Sequence, residues 1–210
     1  MTSTIVTISR QYGSGGREIG KLLAEQLEVP FYDNELITIA AKKSGYAEGL
    51  FVQADQKPTG SLLFSMSMLG TNRVSFDLPL NDKIFLIQSD IIREVAGKGG
   101  CVIVGRCADY VLRENPACVN VFISGDLDDR VRWAIQAGEV EESKARESVL
   151  KVDKRRAAYY NYYTSMKFGA ADHYHLCLNS SCLGRQGSAE LIRSFVCRLD
   201  QERQSEGKTM

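Results

Sequence analysis

Thr4-Ile5-Val6-Thr7-Ile8-Ser9-Arg10-Gln11-Tyr12-Gly13-Ser14-Gly15-Gly16-Arg17-Glu18 is the stretch that decides the fold. Thr4 to Ser9 is a β-branched, apolar-rich run suited to a pleated sheet, and the three glycines just beyond it end that run in a tight loop. From Glu18 to Glu28 the apolar residues Ile19, Leu22, Leu23 and Leu27 recur at helical spacing, until Pro30 forbids continuation. The opening unit therefore reads as strand, glycine loop, helix.

The same alternation continues outward. A short strand fits Pro30 to Asp33, and Leu36, Ile37, Ile39 and Ala40 mark a helix that ends near Gly45. Ser44 to Pro79 breaks the rhythm, because Gly45, Gly49, Pro58, Gly60, Gly70 and Pro79 punctuate its apolar patches; it reads as short helices and loops. Asn81 to Lys98 is helical again. Cys101 to Val104 and Val119 to Ile123 are continuous apolar runs of the buried parallel type, joined by a short helix over Ala108 to Arg113. Asp126 is placed to N-cap a helix through Ala137, and the charged stretch from Glu139 to Lys167 reads as a solvent-facing helix. His175 to Asn179 is the last strand and Ser188 to Arg203 the last helix. Five strands alternating with helices predict a three-layer α/β fold around a five-stranded parallel sheet with helices on both faces.

With 210 residues, 44% hydrophobic and 25% charged, the chain suits one core, so residues 1–210 are expected to form a single domain that carries an insertion over 44–80. Lys+Arg and Asp+Glu both number 26. That balance excludes a general basic field for nucleic acid and makes any phosphate site local. No apolar run approaches the roughly 18 residues of a membrane span, and no basic-then-apolar leader opens the sequence, so a cytoplasmic protein is expected. Cys101, Cys107, Cys118, Cys177, Cys182 and Cys197 form no Cys-x-x-Cys pair and read as reduced thiols, mostly core filler. His173 and His175 share one strand face in this reading, but no further ligand completes a metal site, and a place at the start of the strand suits them.

In an open parallel sheet, ligands sit at the carboxyl ends of strands, where a helix start offers unpaired N–H groups to an anion. Gly13, Ser14, Gly15, Gly16 and Arg17 occupy that position and form a phosphate cradle, with a ligand-free glycine turn as the alternative. The loop departs from the Walker A pattern. Gly16 takes the lysine position, the following Ser or Thr is missing, and the adjacent Arg17 is the nearest substitute cation. A dinucleotide fingerprint fails because Glu18 replaces its third glycine.

Together with Tyr32-Asp33-Asn34, Gly105-Arg106, Leu178-Asn179-Ser180-Ser181 and Asp153-Lys154-Arg155-Arg156, the glycine loop resembles the cytidylate kinase-like family over nearly the whole chain. The resemblance implies a P-loop NTPase fold with a helical insertion on the acceptor side and a lid over 139–167. It also implies transfer of the γ-phosphoryl of ATP to CMP or dCMP, with Mg2+ held through ATP and water rather than by a dedicated metal site. Gly13 to Arg17 would hold the ATP phosphates, while Arg17, Arg155 and Arg156 would neutralise the transferring charge. Arg106 would hold the acceptor phosphate, and Asp33 would face the acceptor. The partner implied is a small nucleotide, not nucleic acid or membrane, with a homo-oligomer left open.

Read without the resemblance, Arg155 and Arg156 suit a solvated basic helix face, Arg106 a salt bridge, Asp33 an N-cap, and Arg130 and Arg132 surface charge. Three features depart from the family pattern around the acceptor. Cys107 follows the Gly-Arg pair where aspartate is usual, Asp109 is the nearest substitute, and Ile37-Thr38-Ile39 stands where an arginine is expected. A regulatory nucleotide binder and a kinase of another small phosphate acceptor are the rival functions.

Overall fold

The computed structural model describes residues 2–54 and 78–206. Its strands are β1 (Ile5–Arg10), β2 (Phe31–Tyr32), β3 (Cys101–Val104), β4 (Cys118–Ser124) and β5 (Leu176–Asn179). They lie in the order β2-β3-β1-β4-β5 and every neighbouring pair is parallel. Ile5 sits opposite Cys101 on one side and Cys118 on the other, so β1 is central. Parallel neighbours need crossovers, and helices supply them. Among the described residues these are α1 (Gly16–Leu27), α2 (Glu35–Ser44), α3 (Glu48–Ala54), α4 (Leu80–Ala96), α5 (Ala108–Val111), α6 (Leu127–Gln136), α7 (Ala145–Thr164) and α8 (Ser180–Glu206).

Period-two alternation divides the core between the two faces of the sheet. Ile5, Cys101 and Ile103 pack with Leu36 and Ile37 of α2, Ile84 and Phe85 of α4, and Tyr159, Tyr160 and Tyr163 of α7. Val6, Ile8, Val102 and Val104 face the other way, onto Ile19 and Leu23 of α1 and Ile192 and Val196 of α8. Each fully buried aliphatic side chain contributes roughly 1.5–3 kcal/mol, and a one-residue slip would exchange the two faces, so this alternation fixes the register.

Several boundaries move for identifiable reasons. α1 starts at Gly16, ahead of its first apolar residue, because the glycine loop curls directly into it and Ile19 N–H already donates to the Gly15 carbonyl. The stretch from Glu139 is not helical at its start. Gly138, at φ +69°, closes the turn after α6, and α7 begins only at Ala145, after a 3-10 turn over Glu142–Lys144. Nor is α7 wholly solvent-facing, since Tyr159, Tyr160 and Tyr163 are buried. α8 starts at Ser180, eight residues before the expected Ser188, and its backbone breaks at Gly184.

Of the expected insertion, residues 55–77, including Phe64, Met66, Met68 and Leu69, lie outside the described residues. His173 belongs to a 3-10 turn over Ala171–His173, so it shares no strand face with His175, whose Nδ1 accepts the Asn120 N–H. Cys101, Cys107 and Cys118 are buried, whereas Cys177, Cys182 and Cys197 are exposed, so only half of the thiols fill the core. Among the described residues no helix is long and apolar enough to cross a membrane.

Candidate phosphate-binding site

β1 delivers the chain into the glycine loop at the middle of the sheet. Gly13 and Gly15 adopt φ of +77° and +72°, and the backbone turns into α1 with the N–H groups of Gly16, Arg17 and Glu18 lacking intrahelical acceptors. The loop is held from beneath. Ser14 Oγ donates to the Gln11 carbonyl (2.9 Å), Ser180 Oγ donates to the Ser14 carbonyl (2.7 Å), and Gln11 N–H donates to Ile123 on β4 (3.0 Å). Asn179, Ser180 and Ser181 thus act as ties: Asn179 Nδ2 donates to the Asp126 carboxylate, and Ser181 Oγ accepts the Asp126 N–H.

Arg130 corrects the expectation of surface charge. Its side chain is 6% exposed, and Nη1 donates to the Tyr12 carbonyl (3.1 Å) and to Asp153 Oδ2 (2.5 Å), while Nε donates to the Gly125 carbonyl (2.9 Å). Asp153 Oδ1 in turn accepts the Tyr12 N–H (2.7 Å). A Cβ at Gly13 would lie 2.7 Å from the Arg130 carbonyl oxygen, so the loop needs glycine there to sit against α6. Arg132, by contrast, is exposed and pairs with Asp129.

A cavity of 270 Å³ opens at the carboxyl ends of β1 and β3, where a sheet of this kind binds ligands. Four arginines line it: Arg10, Arg106, Arg155 and Arg156. Val152, Tyr159, Tyr160 and Phe168 supply apolar and aromatic wall, and among the described residues no carboxylate or imidazole contributes to the lining. Arg156 Nη1 donates to the Arg10 carbonyl (3.1 Å), and its guanidinium lies 5.6 Å from the Tyr12 ring centre. Burial pulls the Arg156 pKa down from its ordinary value, and Asp153, Tyr12 and Asp33 oppose that shift. Arg155 is exposed at the rim and has no hydrogen-bond or ion-pair partner among the described residues. The two α7 arginines and Arg106 therefore converge, although they are nearly fifty residues apart in sequence.

The turn that presents Arg106 is strained. Gly105, Arg106 and Cys107 follow one another at φ of +77°, +57° and +53°. A left-handed backbone costs a non-glycine residue roughly 1–2 kcal/mol, and two in succession persist only where the surroundings fix them. Here the Gly105 N–H donates to Ile8 and its carbonyl accepts Ala108 N–H, while Cys107 is buried.

Arg17 and Asp33 meet beside the cavity. Arg17 Nε donates to Asp33 Oδ2 at 2.7 Å, with side chains 59% and 7% exposed. Asp33 is not the N-cap: Asn34 occupies that position and makes no side-chain cap bond. The Asp33 N–H donates to Glu35 Oε2 (3.0 Å). Backbone N–H donors, that of Glu35 itself and that of Asp33, together with the charges of Arg17 and Arg106, hold the Glu35 carboxyl below the usual range, while burial pushes the other way. Glu35 and Arg10 escaped the sequence reading. The signal for Arg10 was its place as the last residue of the opening strand; Glu35 carried none beyond its nearness to Asp33. Asp109 does not substitute for the missing aspartate in the cavity, because it is 4% exposed beneath it and accepts the Tyr160 hydroxyl at 2.7 Å.

The profile of the cytidylate kinase-like family matches residues 5–182. The chain belongs to that family. A solved structure of an uncharacterized protein from Eubacterium ventriosum is 29% identical, with a TM-score of 0.72 over 94% of this chain and 99% of the other. Shikimate kinase from Bacteroides thetaiotaomicron (15% identity, TM-score 0.54, 92% and 98% covered) and gluconokinase from Sinorhizobium meliloti (12%, 0.54, 97% and 97%) share its fold. No curated protein sequence matches the chain. Family and fold are those of P-loop kinases; of the expected site residues Arg106, Arg155 and Arg156 line the cavity, whereas Gly13 to Arg17 and Asp33 are not part of its lining. Among the described residues no group of three carboxylate, imidazole or thiol side chains converges to hold a metal ion.

Proposed function

We propose that this cytidylate kinase-like protein is an ATP-dependent nucleoside monophosphate kinase that transfers the γ-phosphoryl of ATP to CMP or dCMP. The observation that carries the reading is the cavity that four arginines line and that, among the described residues, no acid lines, beside the glycine loop. A monophosphate acceptor attacks through an oxygen that is already deprotonated, so its site needs cations and alignment rather than a base. In this reading Gly13 to Gly16 cradle the donor phosphates, Arg106 holds the acceptor phosphate, and Asp33, oriented by Arg17, faces the acceptor. Residues 139–167 act as the lid: Arg155 and Arg156 spread over the transferring charge while Tyr159 and Tyr160 keep water out. Magnesium bound on the triphosphate neutralises charge on the donor phosphates.

A non-catalytic nucleotide binder is the second reading, favoured by Gly16 in the lysine position. The deciding assay is coupled ADP release with ATP and magnesium against CMP, dCMP, UMP, AMP, GMP and shikimate. Turnover restricted to CMP and dCMP is expected. ATP binding with no transfer to any member of the panel overturns the kinase reading.

A further inference from the structure

The cytidylate kinase-like loop has no lysine after its second fixed glycine, and Arg17, the neighbouring cation, is drawn to Asp33 at 2.7 Å. The volume that a side chain at position 16 would enter is nevertheless filled. A Cβ built on Gly16 would lie 2.7 Å from Cβ and 2.8 Å from Cγ of Arg10. Further along the same side chain, a Cβ on Gly105 would collide with Arg10 Nη1. Two glycines from different elements, the first turn of α1 and the turn after β3, thus clear a path for one arginine. That arginine emerges on the wall of the cavity beside Arg106, Arg155 and Arg156.

We infer that Arg10 is the donor-phosphate cation of this site and takes the place of the P-loop lysine. The assignment rests on the proposal that the cavity handles a triphosphate donor. Arg10 leaves the strand end in front of the loop, whereas a lysine would leave the helix behind it, and both approach the same volume. The two are mutually exclusive, because a side chain at 16 would overlap Arg10. A planar guanidinium also changes the contact: its paired N–H groups grip two phosphate oxygens in a fixed plane, where an ammonium acts as a point charge. Arg17 is left to position Asp33.

The test is calorimetric titration of the full chain with inorganic tripolyphosphate and, separately, with ATP and magnesium, which reads the donor site without an acceptor. Arg10→Met should weaken tripolyphosphate by about ten- to hundredfold, the loss expected for one charge-assisted contact. Arg132→Met, at an exposed arginine outside the cavity lining, should stay within about threefold of wild type, the small change of a surface ion pair. The swap Arg10→Gly with Gly16→Lys should recover most of the lost affinity. Undiminished binding by Arg10→Met, or an equal loss in Arg132→Met, overturns the assignment, as does a wild-type chain that binds neither probe. If Arg10→Met does not fold, Arg10→Lys and Arg10→Gln decide: the lysine variant should hold tripolyphosphate and the glutamine variant should not, and equal affinities overturn it. A chain that binds tripolyphosphate through Arg10 yet transfers phosphate to no nucleotide removes the kinase reading and leaves Arg10 in place.

Discussion

Arg106 holds a left-handed backbone between two other positive-φ residues, and its side chain reaches the cavity. Two substitutions separate the cation from the turn. Arg106→Ala removes the charge and keeps the strained backbone; Arg106→Gly removes both. Both should raise the KM for the monophosphate about ten- to hundredfold while leaving the KM for ATP within about threefold, as measured by steady-state kinetics. An unchanged acceptor KM in the glycine variant removes Arg106 from that site. Arg130 belongs to another category. Buried against Asp153 and two loop carbonyls, it should cost about 3 kcal/mol when replaced by Met, because the Asp153 charge is left without its main partner. Arg132→Met, on the exposed face of the same helix, should cost under about 0.5 kcal/mol in the same urea titration. Nothing in the string Arg130-Val131-Arg132 distinguishes the two, since both are arginines on one amphipathic helix. Which of them lies under the glycine loop depends on how α6 docks, and that is a tertiary fact. Arg10 was hidden for the same reason: its path is set by Gly16 and Gly105, almost ninety residues apart. Gly13 to Arg17, by contrast, were legible as a cradle because strand, loop and helix start adjoin in sequence.

At the scale of elements, α7 is fastened to the sheet through its tyrosines. Tyr160 donates to Asp109 of α5, Tyr163 donates to Asp82 of α4 at 3.2 Å, and Tyr163 stacks on Phe85 with centroids 4.0 Å apart. The charge of the surrounding sequence masked these tyrosines, and the buried carboxylates that receive the hydroxyls had no pattern to announce them. The strands were legible, because β-branched and continuous apolar runs of four to six residues mark strands buried on both faces. The starts of α7 and α8 were not, because Gly138 and the Ser180 ties override their helical periodicity. Burial pushes the Asp109 carboxyl up, against hydrogen bonds from Tyr160 and two backbone N–H groups and the charge of His173; the same burial and the Asp109 charge push the Tyr160 phenol up. Above the ordinary carboxylate pKa and up to the raised folded value, the native state binds more protons than the unfolded chain, so this group makes stability fall as pH rises. Asp109→Asn keeps an acceptor for Tyr160 and removes the titration. Its melting temperature should exceed that of wild type at neutral pH, with the gap closing toward pH 4. A gap that persists unchanged across that range overturns the assignment of the effect to Asp109.

At the scale of the whole molecule, equal numbers of acidic and basic residues coexist with a cavity that gathers four arginines. A neutral chain has no long-range field with which to hold a polyphosphate backbone along its surface, so anion recognition is confined to one concave site. The thermal transition should reflect this confinement. A ligand that binds only the folded state at a hundredfold excess over its Kd adds about 2.7 kcal/mol. For a chain of this length each kcal/mol moves the melting temperature by about 2–4 °C. ATP with magnesium at that excess should therefore raise it by roughly 5–10 °C. Tripolyphosphate should act in the same direction, whereas duplex DNA at equal phosphate concentration should produce no shift. Raising ionic strength should shrink the tripolyphosphate shift only modestly, because the arginines meet the anion in a partly enclosed cavity where screening is weak. If DNA raised the transition as much as ATP does, the anion surface would extend beyond the cavity, and the four arginines would have to be reread as one edge of a larger basic face.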